Sequence, residues 1–271
     1  MTSRIAERVR EFRRLHESGC FVIPNPWDPG SGVALAGLGF RALATTSAGF
    51  AWSRGRRDGG VTRDDALAHF REIADAVTVP VNADYEGAFA VEPGRVGENV
   101  ALAAATGVAG LSVEDSTGDP ANPLFAFELA LERIRAARAA IDASGTGVLL
   151  TARSEGFIRG RPDLAETIRR LTAFAAAGAD CLYAPGIRTR DEVEAVVRAV
   201  APKPVNVLAW DAATVADLAA WGARRISVGG SLARAAWTGF LDAAREIAER
   251  GSFASLGRAV TGSALNERFP D

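Results

Sequence analysis

Short runs of apolar, β-prone residues recur along the chain, and between them lie longer segments in which apolar residues return every three or four positions. Runs of the first kind are typical of buried strands, whereas the second periodicity is typical of amphipathic helices. The pattern predicts eight strands, near residues 21–24, 42–45, 79–84, 110–114, 147–152, 181–184, 205–207 and 225–228.

Local signals at the ends of the helical segments support this order of elements. Thr62 and Asp65 have the spacing of a capping box, so a helix is predicted to begin there. Gly107 and Gly178 each precede a strand, where glycine supplies the left-handed cap that turns a helix back toward a sheet. Eight such units in 271 residues predict one α/β domain over residues 1–271, a (β/α)8 TIM barrel with an extra N-terminal helix. A doubly wound open sheet is the alternative.

The composition limits the chemistry that the chain can perform. A net charge of −2 gives no bulk attraction to nucleic acid or to an anionic membrane. The chain has no apolar run near the ~20 residues that span a bilayer, and its arginine-rich N-terminus lacks the apolar core of a signal peptide, so a cytoplasmic protein is expected. Two cysteines, two histidines and one lysine leave carboxylates, arginines, hydroxyls and backbone groups as the main reactive groups.

Polar residues collect where the predicted strands end, which is where TIM barrels carry their catalytic groups. The set comprises Asn25, Asp28, Thr45, Thr46, Ser47, Asn82, Asp84, Glu86, Glu114, Asp115, Ser116, Arg153, Ser154, Glu155 and Asn206. Asn82 and Asp84 alternate along a strand and so share a face, which Glu86 joins if the strand continues. Carboxylates that meet at one mouth repel unless a cation or an arginine lies among them, and oxygen-only ligands favour Mg²⁺ or Mn²⁺.

Other interpretations of these residues stay open. Arg153 suits an anionic substrate because its planar fork matches a carboxylate or phosphonate, although it could instead pair only with Glu155. An isolated Asp at a strand end is more often a helix N-cap than a ligand, and Asp115 is the expected example. Neither His16 nor His69 is placed to act as an acid, a base or a ligand.

Two other kinds of site are not expected. Lys203 precedes the seventh strand, at the end of the barrel opposite to that of a Schiff-base lysine. Gly30 and Gly32 suggest a dinucleotide-binding loop, but Leu35 stands where the third glycine of that motif belongs.

The motifs resemble those of the phosphoenolpyruvate mutase/isocitrate lyase superfamily, from about Phe21 to Trp237. The landmarks are Asn25-Pro-Trp-Asp28, Thr46-Ser-Ala-Gly49, Arg57-Asp-Gly-Gly60, Asn82-Ala-Asp-Tyr-Glu-Gly87, Val113-Glu-Asp-Ser116 and Thr151-Ala-Arg153. The resemblance implies Mg²⁺, an enolate or oxyanion intermediate, and a last barrel helix that is exchanged between subunits of a homodimer or homotetramer.

The resemblance also implies roles for individual residues. Ser47, Ala48 and Gly49 match the loop that holds the substrate carboxylate, and Arg153 matches the substrate-binding arginine. Asp58, Asp84 and Glu114 match acids near the metal, with Asp58 acting through water. The expected catalytic residues are Asp58, Glu114 and Arg153; the expected substrate contacts are Ser47, Ala48, Gly49, Asn122, Arg153 and Asn206; the expected metal site comprises Asn82, Asp84, Glu86 and Glu114.

The chain departs from the family pattern in two places. Asn82 stands where many members have the acid that binds the metal, a change for which Glu86 could compensate. The loop at residues 116–123 lacks the cysteine that serves the isocitrate and 2-methylisocitrate lyases, and its Asn122 could contact substrate as an Asn does in the phosphonomutases. We therefore expect a Mg²⁺-dependent lyase or hydrolase that cleaves a C–C bond of an oxaloacetate-like 2-oxo or 2-hydroxy carboxylate. The alternatives are a phosphonomutase that acts on a P–C bond and a barrel that binds a small acid without turnover.

Overall fold

The computed structural model describes residues 3–269, and within that range the eight predicted strands form one parallel sheet. They are β1 (Phe21–Ile23), β2 (Leu43–Ala44), β3 (Val81–Asp84), β4 (Gly110–Glu114), β5 (Leu149–Arg153), β6 (Cys181–Tyr183), β7 (Val205–Leu208) and β8 (Arg225–Ser227). The order of neighbours is β1-β8-β7-β6-β5-β4-β3-β2, and the seam between β1 and β2 carries a hydrogen bond of 3.0 Å from Ala44 N–H to Pro24 O. The TIM barrel is confirmed, and the open sheet is excluded.

Helices follow the strands around the outside of the barrel. They are α1 (Ser3–Glu17), α2 (Pro29–Gly37), α3 (Ser47–Ser53), α4 (Arg63–Ala76), α5 (Pro93–Ala104), α6 (Phe127–Ser144), α7 (Leu164–Ala176), α8 (Arg190–Val200), α9 (Val215–Ala220), α10 (Ser231–Arg250) and α11 (Gly262–Asn266). The capping box of Thr62 and Asp65 is confirmed at the start of α4. Within residues 3–269, no helix is both long and apolar enough to cross a membrane.

The expectation that Asp115 caps a helix is wrong. Its Oδ1 accepts the N–H of Glu155 at 2.8 Å, and its Oδ2 accepts from Arg170 at 3.1 Å. The next helix, α6, begins only at Phe127. Asp115 therefore ties two loops of the mouth to α7, while the capping role belongs to Asp28, whose Oδ1 accepts the N–H of Ser31 at 2.6 Å at the start of α2.

The extra helix α1 closes the N-terminal end of the barrel. Its Phe12 is fully buried and lies against Gly110 of β4, where a Cβ would come within 2.5 Å of the phenyl ring. Glycine is required at that position because the ring occupies the space of a side chain. We call this closed end the floor of the barrel and the opposite, open end the mouth.

The last long helix, α10, contrasts with α1 because most of its length is exposed. Trp237, Phe240, Leu241 and Ile247 are each between 37% and 60% exposed, whereas Ala233 is buried. Exposed apolar side chains that share one helix face are typical of interaction surfaces.

Candidate active site

A cavity of about 160 Å³ opens at the mouth and extends into the interior of the barrel. Many of the residues predicted from the strand ends line it, namely Asn25, Thr45, Thr46, Ser47, Asn82, Asp84, Arg153 and Asn206. These side chains converge because inward positions alternate along each strand and all eight strands run in the same direction. Ala48 and Asp58, which the resemblance implied, line the cavity as well.

Asp84 at the end of β3 is held by the start of α3. Its Oδ2 accepts from both the N–H and the hydroxyl of Ser47, at 3.0 and 2.9 Å, and its own N–H donates to Thr45 Oγ1 at 2.9 Å. Ala48 lines the cavity as the second residue of α3, where a backbone N–H has no acceptor within its helix. The start of α3 therefore presents donors suited to an anion.

Gly49 follows in the same turn but faces away from the cavity, toward protein. A Cβ at this position would lie 2.7 Å from Thr46 Cγ2, 3.0 Å from the Cβ of Trp27 and 3.1 Å from the Cβ of Ala233. The absence of a side chain is thus required for the start of α3 to pack between the loop after β1 and α10.

Arg153 at the end of β5 lies among three carboxylates. Its Nη1 donates to Asp84 Oδ1 at 2.6 Å and its Nε to Glu155 Oε1 at 2.9 Å, and its Nη2 is 3.2 Å from Glu114 Oε2. The pairing with Glu155 considered from the sequence is therefore present together with two further ion pairs. Arg153 joins β3, β4 and β5 across the mouth, and its binding of a substrate anion stays a prediction.

Glu114 and Glu155 are both buried, and each contacts Arg153. Burial and the charge of Glu155 raise the pKa of Glu114 well above its usual range, against the opposing effect of Arg153. Burial likewise raises the pKa of Glu155. Arg159, from the turn after β5, reaches the same pair, with its Nη2 3.5 Å from Glu114 Oε1 and its Nε 3.9 Å from Glu155 Oε2.

Glu86 reaches the mouth through a turn, because β3 ends at Asp84. It adopts a left-handed conformation with φ of 48°, as do Ala88 and Phe89 at 56° and 53°. Three such non-glycine residues within four positions are unusual, and this backbone strain is typical of functional sites. Burial, followed by the charges of Asp84 and Asp58, raises the pKa of Glu86 to about 7.

Asp58 lies at the rim, in the loop between α3 and α4. Burial and the charge of Asp84 raise the pKa of Asp58, and Arg159 and Arg153 oppose this shift. Asp58, Asp84 and Glu86 therefore form one repelling acidic group at the mouth, for which Arg153 and Arg159 supply the nearby positive charge.

The donor set at the mouth fits a hard cation that keeps part of its water. Among residues 3–269 no three His, Cys, Asp or Glu side chains are close enough to hold a metal ion by themselves. Mg²⁺, however, usually retains several waters and takes only one or two carboxylates. The charges of Asp58, Asp84 and Glu86 repel one another, and a cation would relieve that repulsion. Asn82 is buried deeper, beside Gly110, and its Oδ1 lacks a partner in the described part of the chain.

Asn122 lies apart from the other predicted site residues. It is exposed in the loop after β4, where its Nδ2 donates to Asp119 at 3.3 Å, and it faces a separate groove of about 560 Å³. The structure therefore does not bring Asn122 to the cavity, and its contact with substrate stays a prediction.

The sequence reasoning missed Tyr183 and Arg225, which also line the cavity. The guanidinium carbon of Arg153 lies 5.2 Å from the centre of the Tyr183 ring, close enough for a cation–π contact. Alternation along β8 could have revealed Arg225, because Ile226 belongs on the helix-facing side and places its two neighbours inward.

Comparison with known proteins identifies a matching family and relatives that are similar over nearly the whole chain. The family model described as phosphoenolpyruvate phosphomutase matches residues 12–248. An uncharacterized protein of Mycobacterium tuberculosis is 32% identical over 263 residues, which covers 96% of both chains. A solved protein of Burkholderia cenocepacia J2315, provisionally described as a lyase/mutase, is 46% identical with a TM-score of 0.94, covering 98% of this chain and 96% of that chain.

A solved oxaloacetate acetylhydrolase in complex with its product oxalate is also similar. It is 26% identical with a TM-score of 0.86, and the match covers 97% of this chain and 94% of that chain. The matched family model and the relative that is similar along nearly its whole length confirm the resemblance carried by the motifs. The chain belongs to the phosphoenolpyruvate mutase/isocitrate lyase superfamily and is an enzyme of its lyase and mutase type.

Proposed function

We propose that the protein is a Mg²⁺- or Mn²⁺-dependent lyase or hydrolase that cleaves a C–C bond next to the carbonyl or hydroxyl carbon of an oxaloacetate-like acid. The observation that carries this proposal is the mouth itself, where the first residues of α3 and a group of carboxylates surround a small polar cavity. The similarity to oxaloacetate acetylhydrolase supports a substrate of this size and charge.

The start of α3 would bind the carboxylate next to the reacting carbon. Ser47 and Ala48 line the cavity, and the hydroxyl and N–H of Ser47 now bind Asp84. A substrate carboxylate would take over these donors from Asp84. Asp84 would then be available, with Asn82, Glu86 and Glu114, to hold the cation directly or through water.

The bound cation would supply positive charge next to the oxygen on which negative charge develops during bond cleavage. The remaining steps belong to side chains of this chain. Arg153 would orient the substrate and stabilise the developing enolate or oxyanion, since it keeps its charge while its carboxylate partners rearrange. Asp58 at the rim, with its raised pKa, would accept or return a proton through water.

The loop at residues 116–123 separates this function from that of the isocitrate-cleaving lyases. It carries no Cys, Lys or His, so the acid/base residue of those reactions is absent. A phosphonomutase that acts on a P–C bond is the second candidate, because the same loop carries Asn122. Binding without turnover is disfavoured by membership in an enzyme superfamily.

The protein would act as a homodimer or homotetramer in which α10 packs on a neighbouring barrel. The exposed apolar face of Trp237, Phe240 and Leu241 adjoins shallow apolar grooves beside Trp27 and Trp52, close to the mouth. Burial of this face would remove a large apolar surface from water and enclose one side of the site.

A substrate screen tests the proposal. Purified protein is incubated with oxaloacetate, other 2-oxo acids, 2-hydroxy acids and phosphonopyruvate, with and without Mg²⁺, and release of oxalate, pyruvate, acetate and CO₂ is followed. Turnover of an oxaloacetate-like acid is expected, with no cleavage of isocitrate or 2-methylisocitrate. Turnover of phosphonopyruvate alone would favour the phosphonomutase, and robust cleavage of 2-methylisocitrate would contradict the assignment.

A further inference from the structure

A second arginine lies inside the barrel, below the acidic mouth. Arg225 opens β8, is 3% exposed and contributes to the lining of the same cavity as Arg153. Its position differs from that of Arg153 in depth, because its side chain lies between the strands and the helix α1 that closes the floor.

The hydrogen-bond partners of Arg225 are neutral. Its Nε donates to Asn206 Oδ1 at 2.8 Å, its Nη2 to Thr151 Oγ1 at 3.1 Å, and its Nη1 lies 3.4 Å from His16 Nε2. His16 Nδ1 is 2.7 Å from Phe12 O and so carries the proton, which leaves Nε2 as the acceptor. Across residues 3–269, no carboxylate pairs with this guanidinium.

Other buried arginines of the described chain are compensated in different ways. Arg170 pairs with Asp115 and Glu166, and Arg153 pairs with three acids. Arg8 and Arg133 lack carboxylate partners, but they donate to backbone carbonyls of Ala74 and Gly87 and do not line the cavity. Arg225 therefore combines a buried positive charge, neutral side-chain acceptors and contact with the cavity.

A buried charge without a counter-ion is costly, and an anion that enters the cavity would offset that cost. A guanidinium carries five N–H groups, of which three serve the contacts above. Two N–H groups remain for a ligand in the cavity, and the nearby side chains of Asn206 and Ser227 are already bonded to each other at 2.9 Å. The floor therefore offers one strong site for negative charge.

We infer that Arg225 binds a second anionic group of the substrate, so that the enzyme selects small dianions over monoanions. This inference rests on the proposed function: the carboxylate next to the reacting carbon binds the start of α3, and the second anionic group, a carboxylate or a phosphonate, points toward the floor. Arg225 is thus a specificity-determining residue, distinct from Arg153, whose charge is already shared among Asp84, Glu114 and Glu155.

The test compares two ligands of equal length. L-Malate and L-2-hydroxybutyrate differ only in that a methyl group of the second replaces the distal carboxylate of the first. Dissociation constants are measured by calorimetry, with and without Mg²⁺, for the wild-type protein and for Arg225→Gln and Arg225→Lys. Arg224→Gln is the matched control, because this neighbouring arginine donates to Gly19 O and does not line the cavity.

We expect the wild-type protein and Arg224→Gln to bind malate at least about tenfold more tightly than 2-hydroxybutyrate, given the strength of a charge-assisted contact. Arg225→Gln should lose this preference, and Arg225→Lys should keep part of it. Melting curves show whether each variant is folded. If Arg225→Lys folds and Arg225→Gln does not, a preference for malate that is smaller in Arg225→Lys than in the wild type supports the inference.

The opposite outcome is a folded Arg225→Gln or Arg225→Lys that prefers malate as strongly as the wild type and differs only in a lower melting temperature. That result would show that Arg225 merely ties α1 to the barrel. No preference in the wild type would also overturn the inference. The substrate screen is judged separately: an Arg225-dependent preference without turnover of any acid would refute the proposed function and leave the dianion site standing.

Discussion

The mouth and the floor of this barrel each bury an arginine, and they stabilise it in opposite ways. At the mouth, Arg153 is surrounded by Asp84, Glu114 and Glu155, and the remaining acids leave an excess of negative charge. At the floor, Arg225 rests on the neutral groups of Asn206, Thr151 and His16. At the mouth, the surplus of carboxylates favours binding of a cation in addition to Arg153. At the floor, no carboxylate neutralises Arg225, so its positive charge still attracts an anion. One small cavity thus has an electrostatic gradient along its depth.

The sharpest test of the acidic mouth is removal of divalent cation. We expect exhaustive chelation to abolish turnover and Mg²⁺ or Mn²⁺ to restore it, because the excess carboxylates need a counter-charge before an anionic substrate can bind. Added Mg²⁺ should also raise the melting temperature, since binding to the folded state stabilises it. Full activity of metal-free protein, verified by elemental analysis, would contradict the proposed metal site.

Substitution of Arg153 should give the next largest effect. Arg153→Lys keeps the charge but loses the planar fork of the guanidinium. Its kcat/KM should fall by roughly one to two orders of magnitude, given ~1.5–3 kcal/mol per charge-assisted bond. The kcat/KM of Arg153→Ala, which also loses the charge, should fall further. Arg153→Ala should also unfold more readily at pH 8 than at pH 5. At the lower pH, protonation of the three acids left without their arginine removes the repulsion between their charges. Arg159→Ala serves as the comparison: its side chain is 39% exposed and reaches the same acids at longer distances.

The two ends should also differ in their dependence on other chains. The floor is closed by the chain's own α1, whereas the mouth adjoins the exposed face of α10. Light scattering at micromolar concentration should show a dimer or tetramer for the wild type and a monomer for Trp237→Asp. Arg245→Gln, on the same helix, should leave the assembly intact. A monomeric wild-type protein would show that α10 stays exposed and that the site is built by one chain.

The smallest expected effect is an opposite response of the two ends to pH. The raised pKa of Glu86, about 7, means that the folded protein holds a proton that the unfolded chain releases near pH 4.5, so its contribution to stability falls as the pH rises from 4.5 to 7. Burial, and then the charge of Arg225, lower the pKa of His16 to about 3, so its contribution falls as the pH drops below 6.5. Each slope is at most about 1.4 kcal/mol per pH unit.

Two variants separate these slopes in metal-free protein. Glu86→Gln should lessen the decline in melting temperature between pH 4.5 and 7, and His16→Gln should lessen the decline below pH 6.5. Both changes are partial, because burial also raises the pKa values of Glu114, Glu155 and Asp58 and lowers that of His69 to about 4. Unchanged slopes in both variants would show that the charges of the mouth and the floor do not govern stability.

Periodicity predicted the barrel well because eight strands buried on both sides must be apolar runs separated by helical segments. The run at Gly110–Glu114 matches its strand at both ends. The convergence of Asp84 and Arg153 followed from the same reasoning, since both end parallel strands. The position of Glu86 did not follow, because the left-handed residues of its turn are Glu86, Ala88 and Phe89, whereas the intervening Gly87, the residue that usually signals such a conformation, is not left-handed.

The partners of each charge were harder to predict than its position. Asp115 has the sequence context of a cap, but a contact to Arg170, 55 residues away, decides its role. Arg225 has no local signal beyond alternation, and its neutral environment depends on a helix at the other end of the chain. Such long-range pairings are set by how the barrel closes, which local sequence patterns do not encode.

The docking of α1 also bears on the order in which the chain can fold. Although α1 precedes every strand in the sequence, Arg8 bonds to Ala74, Phe12 lies against Gly110, and His16 contacts Arg225, 209 residues downstream. The helix can therefore complete its contacts only after β8 has left the ribosome, since the contact of His16 is among the least local in the fold. Until then the floor of the growing barrel is incomplete and part of its interior is open to solvent and to chaperones.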